Sequence, residues 1–552
     1  MRSALGGLAA LALGCVSGAS AQSFTDVTDA AGLGGTTVHL PASTAMPQMM
    51  SGVAVADFDR DGWDDIYWDG GNGQPSKLFR NLGDGTFADV AAAAGVDVQV
   101  PGSQPLFFDA DDDGWLDLLL VTYAAVFPGP AIAGGSGPGA PFTPSGPGQI
   151  TPTHGPTPGL SQHRNLFFHN NGDGTFVERT EEAALEESGR TGIAAGDIDG
   201  DGDLDLLAVS WTLGSHTRLL LNRGDGRFRD VTPAAMHDTP TRGFSPHLVD
   251  MDGDGDPEAF WGADFDTSLY FENLGDLAFA DVTAAAGLGT DENGMGSTVG
   301  DYDNDGDLDY FVSAIYNEEP FGPPQQQFNW GHTGNRLYRN QGDGTFDDAT
   351  DGAGVRDGGW GWGSQFADLD NDGDLDLIHT NGWPNLPPEH QQYLTDATRV
   401  FVNDGTGVFS EQAAALGLVD TEQGRGLIVF DHDQDGALDV VVSNSDVGLT
   451  LWRNDPEGLG HWLEVVLRGT ETNSHGIGAR ITLIQAGGAR QLRHVEAGSQ
   501  FMSQSPNKVW FGLGADAGPV ALEIAWPTGT IQHLTAVTVD RRVSVTEPRA
   551  DR

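Results

Sequence analysis

Seven stretches of the chain share one spacing of acidic residues. They are DFDRDGWDD from Asp57, DADDDGWLD from Asp109, DIDGDGDLD from Asp197, DMDGDGDPE from Asp250, DYDNDGDLD from Asp301, DLDNDGDLD from Asp368 and DHDQDGALD from Asp431. Each puts carboxylates at positions one, three, five and nine around a glycine at six, and only the fourth has Glu258 in place of the last Asp. Clustered carboxylates on a tight turn suit a hard cation that takes many oxygens, and glycine permits the bend. An EF-hand begins alike but closes with Glu at position twelve on a helix. Here position twelve holds Trp68, Leu120, Ala208, Trp261, Val312, His379 and Val442, which rejects an EF-hand array. Residues such as Ile66-Tyr67-Trp68 after the first loop are those of a strand.

Two further motifs keep step with the loops. One is a Gly-Asp-Gly hairpin preceded by Asn, as in RNLGDGTF from Arg80, HNNGDGTF from His169, LNRGDGRF from Leu221 and RNQGDGTF from Arg339, with looser copies at Glu272 and Val402. The other follows at Phe24, Phe87, Phe228, Phe279 and Phe346, as in FTDVTDAAGL. Each repeat therefore reads as several short strands joined by turns. The first Phe segment precedes the first loop, and the last loop ends in LWRN at Asn454 with no such segment after it. The N-terminal strand is thus the piece the last unit lacks. A seven-bladed β-propeller completed by that strand fits this phase, whereas an open solenoid would need capping at both ends.

On these motifs, residues 24 to about 456 resemble the FG-GAP/VCBS repeats of integrin-α-type propellers. The resemblance implies a structural Ca²⁺ in each loop, about seven in all, held within the blade. The implied ligands are Asp57, Asp59, Asp61 and Asp65; Asp109, Asp111, Asp113 and Asp117; Asp197, Asp199, Asp201 and Asp205; Asp250, Asp252, Asp254 and Glu258; Asp301, Asp303, Asp305 and Asp309; Asp368, Asp370, Asp372 and Asp376; and Asp431, Asp433, Asp435 and Asp439. The position-seven carbonyl is a further implied ligand.

Charge divides the chain. Its net charge is −53, yet from His461 onward there are only 8 acidic and 9 basic residues. The break marks a domain boundary, and the acidity disfavours nucleic acid and anionic membranes as partners. Residues 461–548 alternate apolar and polar in short runs, the pattern of a small β-sandwich. Through NSHGIGARITL at Asn473, AGSQFMSQSP at Ala497, VWFGLG at Val509 and IAWPTG at Ile524 this part resembles the ASPIC/UnbV domain, and the whole resembles the bacterial relatives of cartilage acidic protein. The animal members add a cysteine-rich EGF-like module, which has no counterpart here. Residues 1–21 read as a secretory signal peptide, too short to span a membrane, with 22–456 as the propeller. A rival reading takes ALGC as a lipoprotein box that acylates Cys15, the single cysteine, so an intramolecular disulfide is excluded.

Three insertions interrupt the repeats: Phe127–His163, a Gly/Pro-rich segment, NEEPFGPPQQQFNWGHTG in the fifth unit and NGWPNLPPEHQQYLTDATR in the sixth. Long loops on a rigid scaffold carry ligand sites or are solvated elaborations. Trp330, Trp360, Trp362 and Trp383 lie in or beside these units, either to stack on sugars or to pack between blades. His154, His163, His247 and His379 have no metal-protease spacing, and Arg223-Gly224-Asp225 occupies a repeated hairpin slot, so its adhesion-tripeptide spelling reads as structural. Two functions stay open: a secreted or periplasmic calcium-dependent binding and adhesion module for glycan or protein, or a calcium-dependent enzyme such as a polysaccharide lyase or biosynthetic cyclase. The enzyme reading expects His154, His163 and His379 to converge on one cavity. A nucleophile–base pair and a cofactor fingerprint are both missing from the sequence, which favours the binding module.

Overall fold

The structure, a computed structural model, describes residues 22–36, 51–71, 74–100, 102–122, 164–185, 191–211, 216–318, 331–384, 388–498 and 500–549. The signal-peptide and Cys15 readings, His154, His163, Trp330 and most of the three insertions lie outside these residues.

Each acidic loop joins the first two strands of a four-stranded antiparallel sheet. In blade 1 the strands are Gly52–Ala56, Asp65–Asp69, Lys77–Asn81 and Phe87–Asp89, and the same order recurs in the six later blades. The seventh consists of Gly424–Phe430, Asp439–Asn444 and Gly448–Asn454, and its fourth strand is Phe24–Asp26, paired as Phe24 with Asn454 and Asp26 with Trp452. The first strand of the chain therefore completes the last blade, as the phase of the motifs predicts.

Apolar side chains fill the space between successive blades. One such layer joins Val53, Val55 and Ile66 of blade 1 to Ile428, Phe430 and Val441 of blade 7. The inner strands approach closely, and Gly363 shows why they carry small residues: a Cβ there would lie 2.3 Å from the Arg425 carbonyl oxygen of the next blade. The outermost strand in five blades leads into a single helical turn, for example Ala91–Ala94, absent from the strand-and-turn reading of the sequence. An alanine run followed by Gly95 at φ +82° accounts for it. Phe176 and Phe409 begin outer strands too, so all seven units contain the Phe segment.

The tail is a two-sheet sandwich. One sheet holds Val509–Gly514, His461–Arg468 and Arg541–Thr546; the other holds Arg490–His494, Arg480–Ile484, Val520–Ala525 and Ile531–Val537. Between them Leu463, Val465, Ile481, Phe511 and Ile524 are buried. A segment of this domain, residues 496–504, is met by the inner strands of six blades. Ser503–Gln504 pairs parallel with Val53–Ala54 of blade 1, and Gln504 exchanges side-chain hydrogen bonds with both backbone groups of Phe107 in blade 2. Ala497 bridges to Ala195 of blade 3, Glu496 faces His247 of blade 4, Phe501 packs on Trp362 of blade 6, and Ser503 accepts from Leu427 N–H in blade 7. Only a segment on the propeller axis can touch so many inner strands, so the tail plugs the centre.

Candidate metal centres

The loops owe their shape to hydrogen bonds that repeat in all seven blades. The first Asp accepts the N–H of the position-six glycine at 2.7–3.2 Å. Those glycines have φ between +84° and +104°, which side-chain-bearing residues rarely adopt. Position four is also left-handed, and Arg60, Asp112, Asn304, Asn371 and Gln434 tolerate it there.

The ninth-position carboxylate, at most 2% exposed in any blade, anchors the loop. One oxygen accepts the position-two N–H at 2.7–3.3 Å in every blade. In the six blades with Asp, the other accepts the N–H of the hairpin Asn at 2.7–2.9 Å. Burial pushes Asp65 and Asp309 up to about 9 and Asp205 up to about 8, with neighbouring carboxylates adding to the rise. The first position moves the same way, to about 6 in Asp57 and Asp197, about 7 in Asp109 and Asp301, and about 8 in Asp368 and Asp431, again mainly by burial.

Groups of donor atoms that could hold a cation occur in the loops, with differences between blades. Asp57, Asp59 and Asp61, and likewise Asp250, Asp252 and Asp254, bring oxygens within 4.8 Å of one another, and Asp197 and Asp199 do so with Asp205. In blade 2 the group is Asp111, Asp113 and His169; in blade 7 it is His432, Asp433 and Asp439. Neither histidine was legible as a donor, since His169 belongs to the hairpin strand and His432 occupies a position that elsewhere is apolar or aromatic. In blades 1, 5 and 7 an arginine of the third strand grips positions three and five: Arg80 with Asp59 and Asp61, Arg339 with Asp303 and Asp305, and Arg453 with Asp433 and Asp435.

These donors fit a hard cation. Six of the seven loops bury a carboxylate oxygen with no hydrogen-bond partner among the described residues: Asp57 Oδ1, Asp111 Oδ1, Glu258 Oε1, Asp303 Oδ1, Asp368 Oδ1 and Asp433 Oδ1. An ionised oxygen sealed from water without a partner is costly, and a cation supplies the missing charge.

The hairpin Asn has a role that sequence reading missed. Asn81, Asn170, Asn222, Asn273, Asn340, Asn403 and Asn454 each donate from Nδ2 to the position-two carbonyl of the preceding blade's loop, at 2.8–3.3 Å. Six of them also donate to the position-eight carbonyl of their own loop. Asn81 reaches His432, so the first and seventh blades share the same link as every other neighbouring pair.

Family comparison agrees with the geometry. The FG-GAP-like repeat matches residues 159–208, 209–261, 250–312 and 328–379, and the ASPIC and UnbV family matches 469–552. The chain carries FG-GAP-like repeats and an ASPIC/UnbV domain. It is 26% identical to cartilage acidic protein 1 of Homo sapiens over 419 residues, covering 61% of this chain and 60% of that one. Identity to the Mus musculus protein is 25% over 419 residues, covering 61% of each chain. The chain thus spans about three-fifths of the length of these curated relatives. The solved structure of BBS1N in complex with ARL6DN matches at a TM-score of 0.39 with 9% identity, over 75% of this chain and 96% of that one.

The ASPIC/UnbV domain sits directly on the FG-GAP loops. Gly512 N–H donates to Asp368 Oδ2 at 2.9 Å, Ser474 Oγ to Asp109 Oδ2 at 2.5 Å and Gly460 N–H to the Asp370 carbonyl at 3.2 Å. Lys508 bridges Asp64 and Glu464, and Arg542 joins Glu464 from the other side. On the axis, burial by itself would raise Glu496, but His494 and then His247 hold it well below the ordinary carboxylate range.

Of the remaining candidates within the described residues, His247, His379, Trp360 and Trp362 are core residues, Trp383 is half-buried and Arg223-Gly224-Asp225 is exposed. His379 is fully buried, against Asn335 Nδ2 at 3.2 Å, and burial pushes it down to about 3. His247 lies against Ser297 Oγ at 2.8 Å beside the plug. Trp360 and Trp362 are 4% and 2% exposed, packed with Phe244, Tyr393 and Phe501. Among the described residues no helix is long and apolar enough to cross a membrane.

Proposed function

We propose that the protein is an exported, calcium-stabilised binding module that recognises a glycan or protein ligand on the propeller side away from its metal loops. Calcium is the cation we assign to the loops, one to each and about seven in total. The observation that carries the reading is the seat of the ASPIC/UnbV domain: it covers loops of blades 1, 2 and 6 and fills the axis from that side. The three insertions join second to third strands, whose junction is the opposite end of each blade. Recognition is therefore assigned to that end, with Trp383, half-buried and stacked on Trp360 at 5.5 Å, as the nearest described aromatic platform. Glycan and protein arrays probed with the calcium-loaded protein test this. Specific binding that Trp383→Ala reduces supports the reading, and binding left intact by Trp383→Ala but removed by substitutions on the metal-loop side would sink it.

A further inference from the structure

Arg425 is the second residue of the inner strand of blade 7, at the strand end away from the metal loop. Its side chain is wholly buried. Nη1 donates to the Gly382 carbonyl at 3.2 Å and to the Gly424 carbonyl at 2.6 Å, and the guanidinium lies over the Trp362 ring at 4.2 Å, with Trp383 at 5.8 Å. One end and one face of the group are thus fixed. Nε and Nη2 form the remaining edge, and both are buried with no acceptor among the described residues.

That edge is the one with which guanidinium takes an oxyanion through two parallel hydrogen bonds. Elsewhere in the chain the same edge is turned to acid, there as ion pairs divided between two carboxylates. Arg80 presents Nε and Nη2 to Asp59 and Asp61 at 2.6 and 2.8 Å, and Arg339 presents the same pair to Asp303 and Asp305 at 2.7 and 2.8 Å. Arg425 holds the same fork with no carboxylate paired to it among the described residues. Asp446 is the acidic group that acts on it, but Asp446 Oδ1 accepts from Gln423 N–H. Burial pushes the Arg425 guanidinium down to about 9, the direction expected of a cation whose counter-charge is missing. A fully buried, unpaired guanidinium is costly to the folded state, and an enclosed anion removes that cost.

We propose that Arg425 is the anchor of an oxyanion site at the axial end opposite the ASPIC/UnbV domain, taking one carboxylate or sulfate group on its Nε–Nη2 edge. The group comes either from a free ion or from an acidic sugar, and the two sources separate in solution. The full mature chain, with calcium, is titrated calorimetrically with sodium acetate, sodium sulfate, a glucuronate oligosaccharide and its neutral glucose counterpart. Saturable one-to-one binding of an oxyanion-bearing probe is expected, with none to the neutral sugar. Arg425→Lys should weaken it about tenfold or more and Arg425→Met should abolish it. Folding of both variants is checked by their far-UV spectrum and melting point. Binding of acetate or sulfate without the oligosaccharide supports the site while removing the glycan from its ligands. Failure of the wild-type protein to bind any oxyanion, or an unchanged response in folded Arg425→Met, overturns the proposal.

Discussion

At the scale of single residues, the hairpin Asn does more than its turn requires. Asn340 Nδ2 reaches Met251 O of the preceding blade at 2.8 Å and Leu308 O of its own loop at 2.9 Å, while its N–H holds Asp309. Asn340→Ala leaves two buried carbonyls unpaired and should cost about 2 to 3 kcal/mol, read as a lower denaturant midpoint. The neighbouring Gln341 does not compensate, because its amide turns back to Arg339 O and Asn340 O, each at 3.4 Å. The acidic ligands are a separate test. Asp301→Ala with Asp303→Ala should lower bound calcium by about one equivalent per chain, and an unchanged stoichiometry by metal analysis would contradict the loop assignment. The Asp spacing was legible because loop donors are neighbours in sequence. The Asn link was not, since its partner is 89 residues away in Met251 and nothing local distinguishes a turn-former from a clamp.

Among the elements, residues 496–504 decide how the two domains fit. Gln504 accepts Phe107 N–H at 2.6 Å and donates to Phe107 O at 2.7 Å, so its amide acts as one more rung for blade 2 while its backbone pairs with blade 1. Gln104 does the same for Ile193 between blades 2 and 3. Replacing Gln504 by Ala removes both bonds from a site water cannot refill and should destabilise docking by about 2 to 3 kcal/mol. Faster proteolytic cleavage between Asn454 and His461, with the propeller core still resistant, is the expected sign. Equal cleavage rates would mean that Phe501 and the loop contacts suffice. The FMSQS stretch could be recognised as a family motif, but its alternation does not reveal that it leaves the sandwich and enters the other domain. Its partners are spread over six blades, and no periodicity encodes such a contact.

For the whole molecule, repeat phase revealed the blade count and the exchange of the first strand, because both follow from local patterns read in order. The charge break at His461 falls where the first strand of the sandwich begins. It could not show that the near-neutral tail lies on the acidic loops, where Ser474 and Gly512 hold Asp109 and Asp368. With calcium in the loops as proposed, that arrangement would make metal, pH and docking one linked equilibrium. Without cation, the first-position carboxylates protonate more readily in the folded chain than in the unfolded one: Asp57 at about 6, Asp301 at about 7 and Asp431 at about 8, against an ordinary value of about 4. A raised folded-state value stabilises below the unfolded value and loses that contribution as pH rises through the folded one. Chelated protein should therefore melt at a lower temperature at about pH 8 than at about pH 5.5, the net charge of −53 adding repulsion in the same direction. Under the proposed calcium assignment the cation would bind the ionised form, so its stabilisation should be larger at about pH 8, and at roughly a hundredfold excess over Kd each occupied site would add about 2.7 kcal/mol. Melting curves at the two pH values, with calcium and with chelator, measure all four corners. Because the tail bonds to the proposed ligand carboxylates Asp109 and Asp368, propeller and tail should lose calcium-dependent stability in one transition. A tail that melts independently of calcium would break that linkage and leave docking to the axial segment alone.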